Sequence, residues 1–339
     1  MGYRMAVVGA TGMVGREILK TVSERGLPVS AMVALSAGRG GGQQVSFGDE
    51  QVLTVRALDG FDFMGTQLAF FAAGSAAAQL HAPRAAEAGC TVIETSGAFG
   101  MAHDVPMVVP EVNPQALGRM RRRIVAIPHP ATIPLLLALQ PLHALAKARR
   151  AVVSTYESVS ALGREAMDEL WSQTRAIYVN EAPPAEQFTK QIAFNCIPHV
   201  GDFQGDGATG AEAALAAETR KVLSPDIAVL ATCVRVPAFI GHAAAVHVAF
   251  EEPITEAAAR AALREAPGII VLDRREDGGY ATQAEIAGED AVFVSRLRHD
   301  PTVPHGLAFW CVTDNLRKGS ALNAVQVAEE MLARRLLGA

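Results

Sequence analysis

The chain has 339 residues, 50% of them apolar, with 35 acidic and 30 basic side chains and a formal net charge of −5. That length exceeds what one hydrophobic core usually organises, so two domains are expected. The small, mixed charge argues against nucleic acid or an anionic membrane surface as a partner. A short apolar run follows Met1 without the features of a secretion signal, so a cytoplasmic location is expected.

From the start to about residue 130, short apolar runs alternate with helical patterns. This alternation is typical of βαβ units around a parallel sheet. The strand cores are apolar throughout, as expected where both faces of a sheet are covered. We therefore predict a Rossmann-type doubly wound parallel sheet. The predicted strands are 5–8, 29–35, 68–71 and 91–93, and the predicted helices are 16–25 and 76–88.

Beyond residue 130 the pattern changes to longer strand runs with few helices. A helix begins near Thr132 and contains the longest apolar stretch, but Pro134 and Pro141 interrupt it, so no membrane span is predicted. The region is expected to form a second α+β domain with a large mixed sheet. A last helix at 321–337 has no sheet partner of its own. The other predicted elements are strands 151–159, 227–236, 244–250, 292–297 and 307–312 and helices 164–177, 211–222 and 255–265.

A glycine-rich turn joins the first strand to the first helix. Glycines at 9, 12 and 15 let the backbone turn tightly and let a pyrophosphate approach the positive end of the helix. A tight turn without a ligand is the alternative interpretation. The position between an N-terminal strand and a helix favours a dinucleotide cofactor. The residues predicted to contact it here are Gly9, Thr11, Gly12, Met13 and Val14.

The second strand ends without the acidic residue that would hold the ribose hydroxyls of NAD, which favours NADP. Ser36 and Arg39 follow at that end and are suited to a 2′-phosphate. A solvated arginine in a glycine-rich loop is the alternative interpretation. Gly74 and Asn315 are further predicted cofactor contacts.

Four cysteines, Cys90, Cys196, Cys233 and Cys311, are scattered along the chain. They form no CxxC pair and have no histidine cluster at zinc-like spacing. We interpret them as reduced, mostly buried thiols, and no metal site is predicted.

Six segments, in order, resemble the aspartate-semialdehyde dehydrogenase family over nearly the whole chain. They are the glycine-rich turn, VPMVVPEVN at 105–113, VSTY at 153–156, AFNCIPH at 193–199, TCVRVP at 232–237 with a following Gly-His, and DNLRKG at 314–319. The resemblance implies a homodimer. It also implies an NADP-binding domain made of residues 1–130 together with 318–339, and a substrate and dimerisation domain at 131–317.

The family's reaction, as the resemblance implies it, is reductive dephosphorylation of aspartyl phosphate through a cysteine thioester, with hydride from NADPH. It requires a thiolate, an acid/base histidine, an arginine for the substrate carboxylate and cations for the phosphate. His242 matches the histidine and Arg235 the arginine.

Four positions depart from the family pattern. The family's Asn-Pro-Asn-Cys-Ser-Thr run falls on residues 127–132, so Pro130 replaces the nucleophilic cysteine. Proline cannot attack a carbonyl and offers no backbone N–H to an oxyanion, although it suits the start of a helix. The phosphate-binding arginine is replaced by Gly100 and the lysine by Ala214. The substrate-positioning glutamine is replaced by Glu157, which adds negative charge beside an acidic ligand.

These departures leave three hypotheses. The first is a catalytically inactive homologue, like the Usg-type proteins, that keeps the dimer and NADP binding and has an unknown small-molecule ligand. The second is an active NADP-dependent oxidoreductase that reduces an aldehyde or oxo substrate without a thioester, using Arg235 to hold it and His242 to protonate it. The third, rescue by Cys196 or Cys233, lacks a recognisable helix N-terminus to lower the thiol pKa.

Overall fold

The computed structural model describes residues 2–38, 41–49, 51–182 and 185–337. These residues form two compact units. The first consists of Met1–His129 with Ser320–Ala339, and the second of Pro130–Gly319.

The strands and helices are numbered in chain order across both units. The strands are β1 (Tyr3–Val8), β2 (Val29–Ser36), β3 (Gln44–Phe47), β4 (Gln51–Thr54), β5 (Arg56–Ala57), β6 (Leu68–Phe71), β7 (Thr91–Glu94), β8 (Ile124–Ala126), β9 (Ala148–Glu157), β10 (Ala228–Arg235), β11 (His242–Phe250), β12 (Ile269–Val271), β13 (Val292–Asp300) and β14 (Gly306–Thr313). The α-helices are α1 (Met13–Glu24), α2 (Ser75–Glu87), α3 (Thr132–Ala146), α4 (Arg164–Tyr178), α5 (Gly210–Val222), α6 (Glu256–Glu265) and α7 (Leu322–Ala333).

The first unit is built on a parallel sheet in the order β5-β2-β1-β6-β7-β8. Successive side chains of β1 enter different cores. Met5 and Val7 pack with α1 and α7, whereas Ala6 and Val8 pack with α2. Because both faces are covered, residues 5–8 of this strand are all apolar and buried. The predicted doubly wound sheet is confirmed.

The second unit is built on a mixed sheet in the order β10-β9-β11-β14-β13-β12. Strand β9 is parallel to β10 and antiparallel to β11. Helices α3, α5 and α6 pack against this sheet. Helix α3 is apolar on all sides, as expected for a helix buried in a core. The predicted α+β domain with a large mixed sheet is confirmed.

The strongly patterned elements were predicted well and the short ones were missed. Strand 68–71 and the start of α3 at Thr132 agree with the structure, whereas β3, β4, β5, β8 and β12 were not predicted. Strand β9 was placed too late, at 151–159. It begins at Ala148 because Lys147, with φ 52°, reverses the chain directly after α3.

No helix within the described residues has the length and apolar character that crossing a bilayer requires.

The turn between β1 and α1 depends on two close backbone contacts. A Cβ on Gly15 would lie 2.1 Å from the carbonyl oxygen of Gly9, and a Cβ on Gly9 would lie 2.4 Å from that of Ala72. Gly9 also has φ +87°, which favours glycine. The loop is therefore specified by its glycines, whether or not a ligand is bound.

We expect Gly15→Ala to destabilise the protein by about 1–3 kcal/mol, because backbone must shift to admit the methyl group. Gly118→Ala is the matched control, since a Cβ added to this exposed glycine of the first unit would have nothing within 4 Å. Its effect should stay within about 0.5 kcal/mol. Denaturant unfolding measures both. Equal effects of the two substitutions would contradict the packing argument.

Candidate active site

Three neighbouring strands of the mixed sheet bring Arg235, Glu157 and His242 together. Glu157 is the last residue of β9 and Arg235 the last residue of β10, and the two are register partners in a parallel pair. His242 is the first residue of β11 and pairs with Glu157 across the antiparallel ladder. Because register partners point to the same face of a sheet, the three side chains lie side by side at one sheet edge.

These side chains form a buried polar cluster. Arg235 is 4% exposed, His242 1% and Glu157 0%. Glu157 Oε2 lies 3.6 Å from Arg235 Nη1 and 3.8 Å from His242 Nε2. The other carboxylate oxygen, Oε1, accepts a hydrogen bond of 3.0 Å from Thr155 Oγ1. The carboxylate thus lies between the arginine and the histidine.

Ser158 sets the tautomer of His242. Its backbone N–H donates to His242 Nδ1 at 3.2 Å, so this nitrogen carries no proton. In the neutral ring the proton is therefore on Nε2, the nitrogen that faces Glu157. The Ser158 carbonyl oxygen also accepts a 2.8 Å hydrogen bond from Arg235 Nη1. One residue therefore orients the side chains of both Arg235 and His242.

Asn315 supports the same cluster. Its Oδ1 accepts hydrogen bonds from the Gly241 N–H at 2.7 Å and from Ser158 Oγ at 3.1 Å. Ser160 Oγ donates to the same oxygen, and Asn315 Nδ2 donates to Ser160 Oγ. The predicted contact of Asn315 with the cofactor stays a prediction. In this structure its amide bonds the backbone directly before His242 and the hydroxyl groups of the two serines.

Burial shifts the pKa values of Arg235 and of Cys233, which lies two residues earlier on β10. Burial lowers the pKa of Arg235 from its usual value, and the nearby Glu157 carboxylate acts in the opposite direction. Burial raises the pKa of Cys233 to about 12, and the charge of Glu157 adds to that rise. Cys233 is therefore a neutral thiol at physiological pH, and its thiolate is not available as a nucleophile.

Pro130 lies just before α3 and does not occupy the first helical position. The helix begins at Thr132 with Ala131 as its N-cap, so the expected benefit of proline inside the first turn does not apply. The ring lies close to Gly319, where an added Cβ would be 3.2 Å from Pro130 Cβ. Thr132 Oγ1 donates to Glu218 Oε2 of α5 at 2.6 Å, which ties the start of α3 to that helix.

Ala214 is four residues before Glu218 on α5, so the two lie on the same face of the helix. The helix begins with a capping box in which Thr209 Oγ1 accepts from the Glu212 N–H and the Glu212 carboxylate accepts from the Thr209 N–H. Glu212 Oε1 also accepts from the Cys233 N–H at 3.0 Å. Helix α5 thus carries Ala214 at the position where the resemblance places a phosphate-binding lysine.

In the first unit, the start of α1 suits a phosphate. Its N-cap, Gly12, makes no side-chain cap hydrogen bond, and the first turn holds no acidic residue. First-turn amides are therefore available to an anion, as in dinucleotide-binding loops. The predicted contacts Gly9, Thr11, Met13 and Val14 all belong to this turn.

Two other predicted cofactor contacts lie at or just beyond the ends of β2 and β6, the strands on either side of β1. Ser36 ends β2 and is buried, and its Oγ accepts a 3.3 Å hydrogen bond from the Gly38 N–H. Gly74, with φ +82°, is the N-cap of α2 after β6. Arg39 lies outside the described residues. The glycine-rich cradle fits a dinucleotide.

Gly100 lies in a loop held by a buried carboxylate. Glu94 accepts hydrogen bonds from the backbone N–H and the hydroxyl of Ser96. Burial raises the pKa of Glu94, and the loop hydrogen bonds oppose the shift. A Cβ on Gly100 would lie 2.7 Å from Met107 Cε. The methionine methyl group thus fills the space beside the position where the resemblance places a phosphate-binding arginine.

Comparisons with known proteins agree with this architecture. Residues 4–120 match the family model "Semialdehyde dehydrogenase, NAD binding domain", and residues 139–318 match "Semialdehyde dehydrogenase, dimerisation domain". Aspartate-semialdehyde dehydrogenase of Aquifex aeolicus is 42% identical over 341 residues, covering 99% of this chain and 100% of that protein. The Rickettsia bellii protein of the same name is 40% identical over 331 residues, 97% of this chain and 98% of that one.

The fold comparison gives the same result. The crystal structure of aspartate semialdehyde dehydrogenase II from Vibrio cholerae has a TM-score of 0.95 at 39% identity, covering 98% of this chain and 99% of that one. This chain belongs to the aspartate-semialdehyde dehydrogenase family. It carries the family's NAD(P)-binding domain and its dimerisation domain.

The sequence indicated the three residues of the cluster but missed two serines that form hydrogen bonds around it. Arg235, His242 and Glu157 come together in the second unit, while the glycine-rich contacts form a separate set in the first. Ser158 and Ser160 were not predicted. Their position directly after Glu157 was a usable signal, because hydroxyl residues just beyond a strand end can hydrogen-bond nearby backbone and side chains.

The four thiols should differ in reactivity. Burial raises the pKa of Cys90, Cys233 and Cys311 to about 12, whereas Cys196 is exposed. At pH 8 we expect a water-soluble disulfide reagent to label Cys196 rapidly in the native protein and the other three only on unfolding. Thiol titration with and without denaturant measures this. Fast release of more than one equivalent from the native protein would refute it.

Proposed function

We propose that this chain binds NADP and forms a homodimer but does not carry out the phosphorylating dehydrogenase reaction of its family. The relatives are named aspartate-semialdehyde dehydrogenase, and the resemblance implies a thioester mechanism for that reaction. The observation that carries the proposal is Pro130 directly before the N-cap of α3. Loss of the nucleophile from a covalent mechanism typically costs about 10⁴ to 10⁶ in rate.

No other thiol is suited to replace the missing one. Burial and the charge of Glu157 raise the pKa of Cys233 and keep its thiol protonated. Cys196 is exposed in the segment between α4 and α5 and does not belong to the first turn of any helix in the described part of the chain. A thiol needs a positive helix end or a nearby cation to become a reactive thiolate at neutral pH. This supports an inactive, Usg-like homologue.

The cofactor and dimer proposals rest on separate observations. The absence of an acid at the end of β2, with Ser36 there and Arg39 three residues later in the sequence, favours NADP over NAD. On β9, Val152, Ser154 and Tyr156 are only half-buried, whereas Val153 and Thr155 on the opposite face are buried. A half-covered sheet face is a suitable surface for a second copy. We assign NADP to the first unit and the unidentified ligand to the second.

A second candidate function is supported by the geometry of His242. Because Nδ1 accepts from the Ser158 N–H, the proton is on Nε2, where it can be donated to a carbonyl oxygen. A hydride from NADPH to an aldehyde or ketone needs such a proton donor and no thiol. An NADP-dependent oxidoreductase without a thioester intermediate is therefore the alternative.

A series of substitutions tests the main proposal. We expect wild type and Pro130→Cys to form no measurable NADPH from aspartate semialdehyde, NADP and phosphate, because two phosphate-binding cations and an amide are also missing. Misplacement of a substrate alone costs about a hundredfold. Turnover should appear only as Gly100→Arg, Ala214→Lys and Glu157→Gln are added to Pro130→Cys. Robust phosphate-dependent turnover by the wild type or by the single variant would overturn the proposal, and NADPH consumption over an aldehyde panel would favour the alternative.

A further inference from the structure

We propose that the Glu157 carboxylate pairs with the Arg235 guanidinium and thereby excludes acidic ligands from this arginine. The inference rests on the proposed function, because it specifies the ligand chemistry of the same site. It predicts that any small molecule bound beside this arginine is an uncharged carbonyl compound rather than an acid.

Burial of Arg235 is the first step. A guanidinium that is 4% exposed needs a nearby anion and hydrogen-bond acceptors, because an unpaired buried charge is strongly destabilising. The Ser158 carbonyl oxygen is one acceptor, at 2.8 Å from Nη1. The anion is Glu157, whose Oε2 lies 3.6 Å from the same nitrogen. The chain itself therefore supplies the carboxylate.

The backbone fixes this pair in place. Arg235 exchanges two hydrogen bonds with Ile197, at 2.8 and 2.9 Å, and the Val236 N–H donates to the Glu157 carbonyl oxygen at 2.9 Å. Thr155 Oγ1 holds the second carboxylate oxygen. Both side chains leave adjacent strands at register-paired positions. The contact is therefore preorganised, and little conformational entropy is lost in keeping it.

The charge of the cluster gives the ligand class. The charges of Arg235 and Glu157 cancel. The His242 ring with its proton on Nε2 is neutral. An acidic ligand reaching Arg235 would bring a second carboxylate next to Glu157 in a buried site, where like charges repel strongly. A carbonyl group that accepts a hydrogen bond adds no such repulsion. The site is therefore matched to uncharged ligands.

Chemical rescue tests the inference. Glu157→Ala removes a CH₂–COO⁻ group, which acetate replaces atom for atom. We expect the variant to melt at a lower temperature than the wild type. Acetate should raise its melting temperature by about 2–4 °C, because a ligand that binds only the folded state stabilises it. Chloride at the same ionic strength and uncharged acetamide should have no comparable effect, and acetate should not stabilise the wild type in this way.

Two control variants show whether the arginine is the anchor. Glu169→Ala removes another buried glutamate of the same unit, whose carboxylate accepts hydrogen bonds from Gln173 and from backbone N–H groups. Acetate should stabilise it much less. The double variant Glu157→Ala with Arg235→Met should lose the response. An equal response in either control, or no response in Glu157→Ala, overturns the inference.

If Glu157→Ala does not fold, Glu157→Gln provides the test, because it keeps the shape but leaves the guanidinium without its carboxylate. Its melting temperature should rise with acetate relative to the wild type, and an unchanged difference overturns the inference. Both measurements use stability, so their failure is distinguishable from failure of the proposed function, which is measured by NADPH turnover.

Discussion

The contact between the Arg235 guanidinium and the Glu157 carboxylate is the constraint on which the site depends. Each charge would be costly to bury alone, so the two must stay together, and they do so because β9 and β10 end in register. The loop after β9 then places Ser158 where it can bond both the arginine and His242. The cluster is thereby held with one tautomer of His242 and one arrangement of charges.

The start of α3 differs from the rest of the site because the residue before its N-cap is a proline. A thiol placed just before a helix benefits from the positive end of the helix dipole, which stabilises a thiolate. Here the position holds Pro130, packed near Gly319, and Thr132 bonds Glu218 instead of a ligand. The helix start is kept, while proline, the residue at this position, cannot act as a nucleophile. The proposed function keeps the fold and removes the reaction, as expected if one fold can carry different functional sites.

Long, strongly patterned elements were predictable because a run of consecutive apolar residues indicates that the element is buried. Strand β6 and helix α3 are examples, since an apolar run bounded by turn residues has few other interpretations. Strands such as β8 and β12 have only three residues and acquire their pairing from neighbours far along the chain. The identities of Arg235, His242 and Glu157 as site residues came from the family resemblance. Their mutual distances came from strand register, which no local pattern specifies.

Whether this chain can form a covalent intermediate at all is tested most directly by intact-mass spectrometry. The wild-type protein is incubated with aspartate semialdehyde and NADP in the absence of phosphate, so that any acyl group transferred to a cysteine accumulates instead of being released. We predict the mass of the unmodified chain, because Pro130 offers no nucleophile and burial keeps Cys233 protonated. A stoichiometric aspartyl adduct on any cysteine would contradict the absence of thioester chemistry.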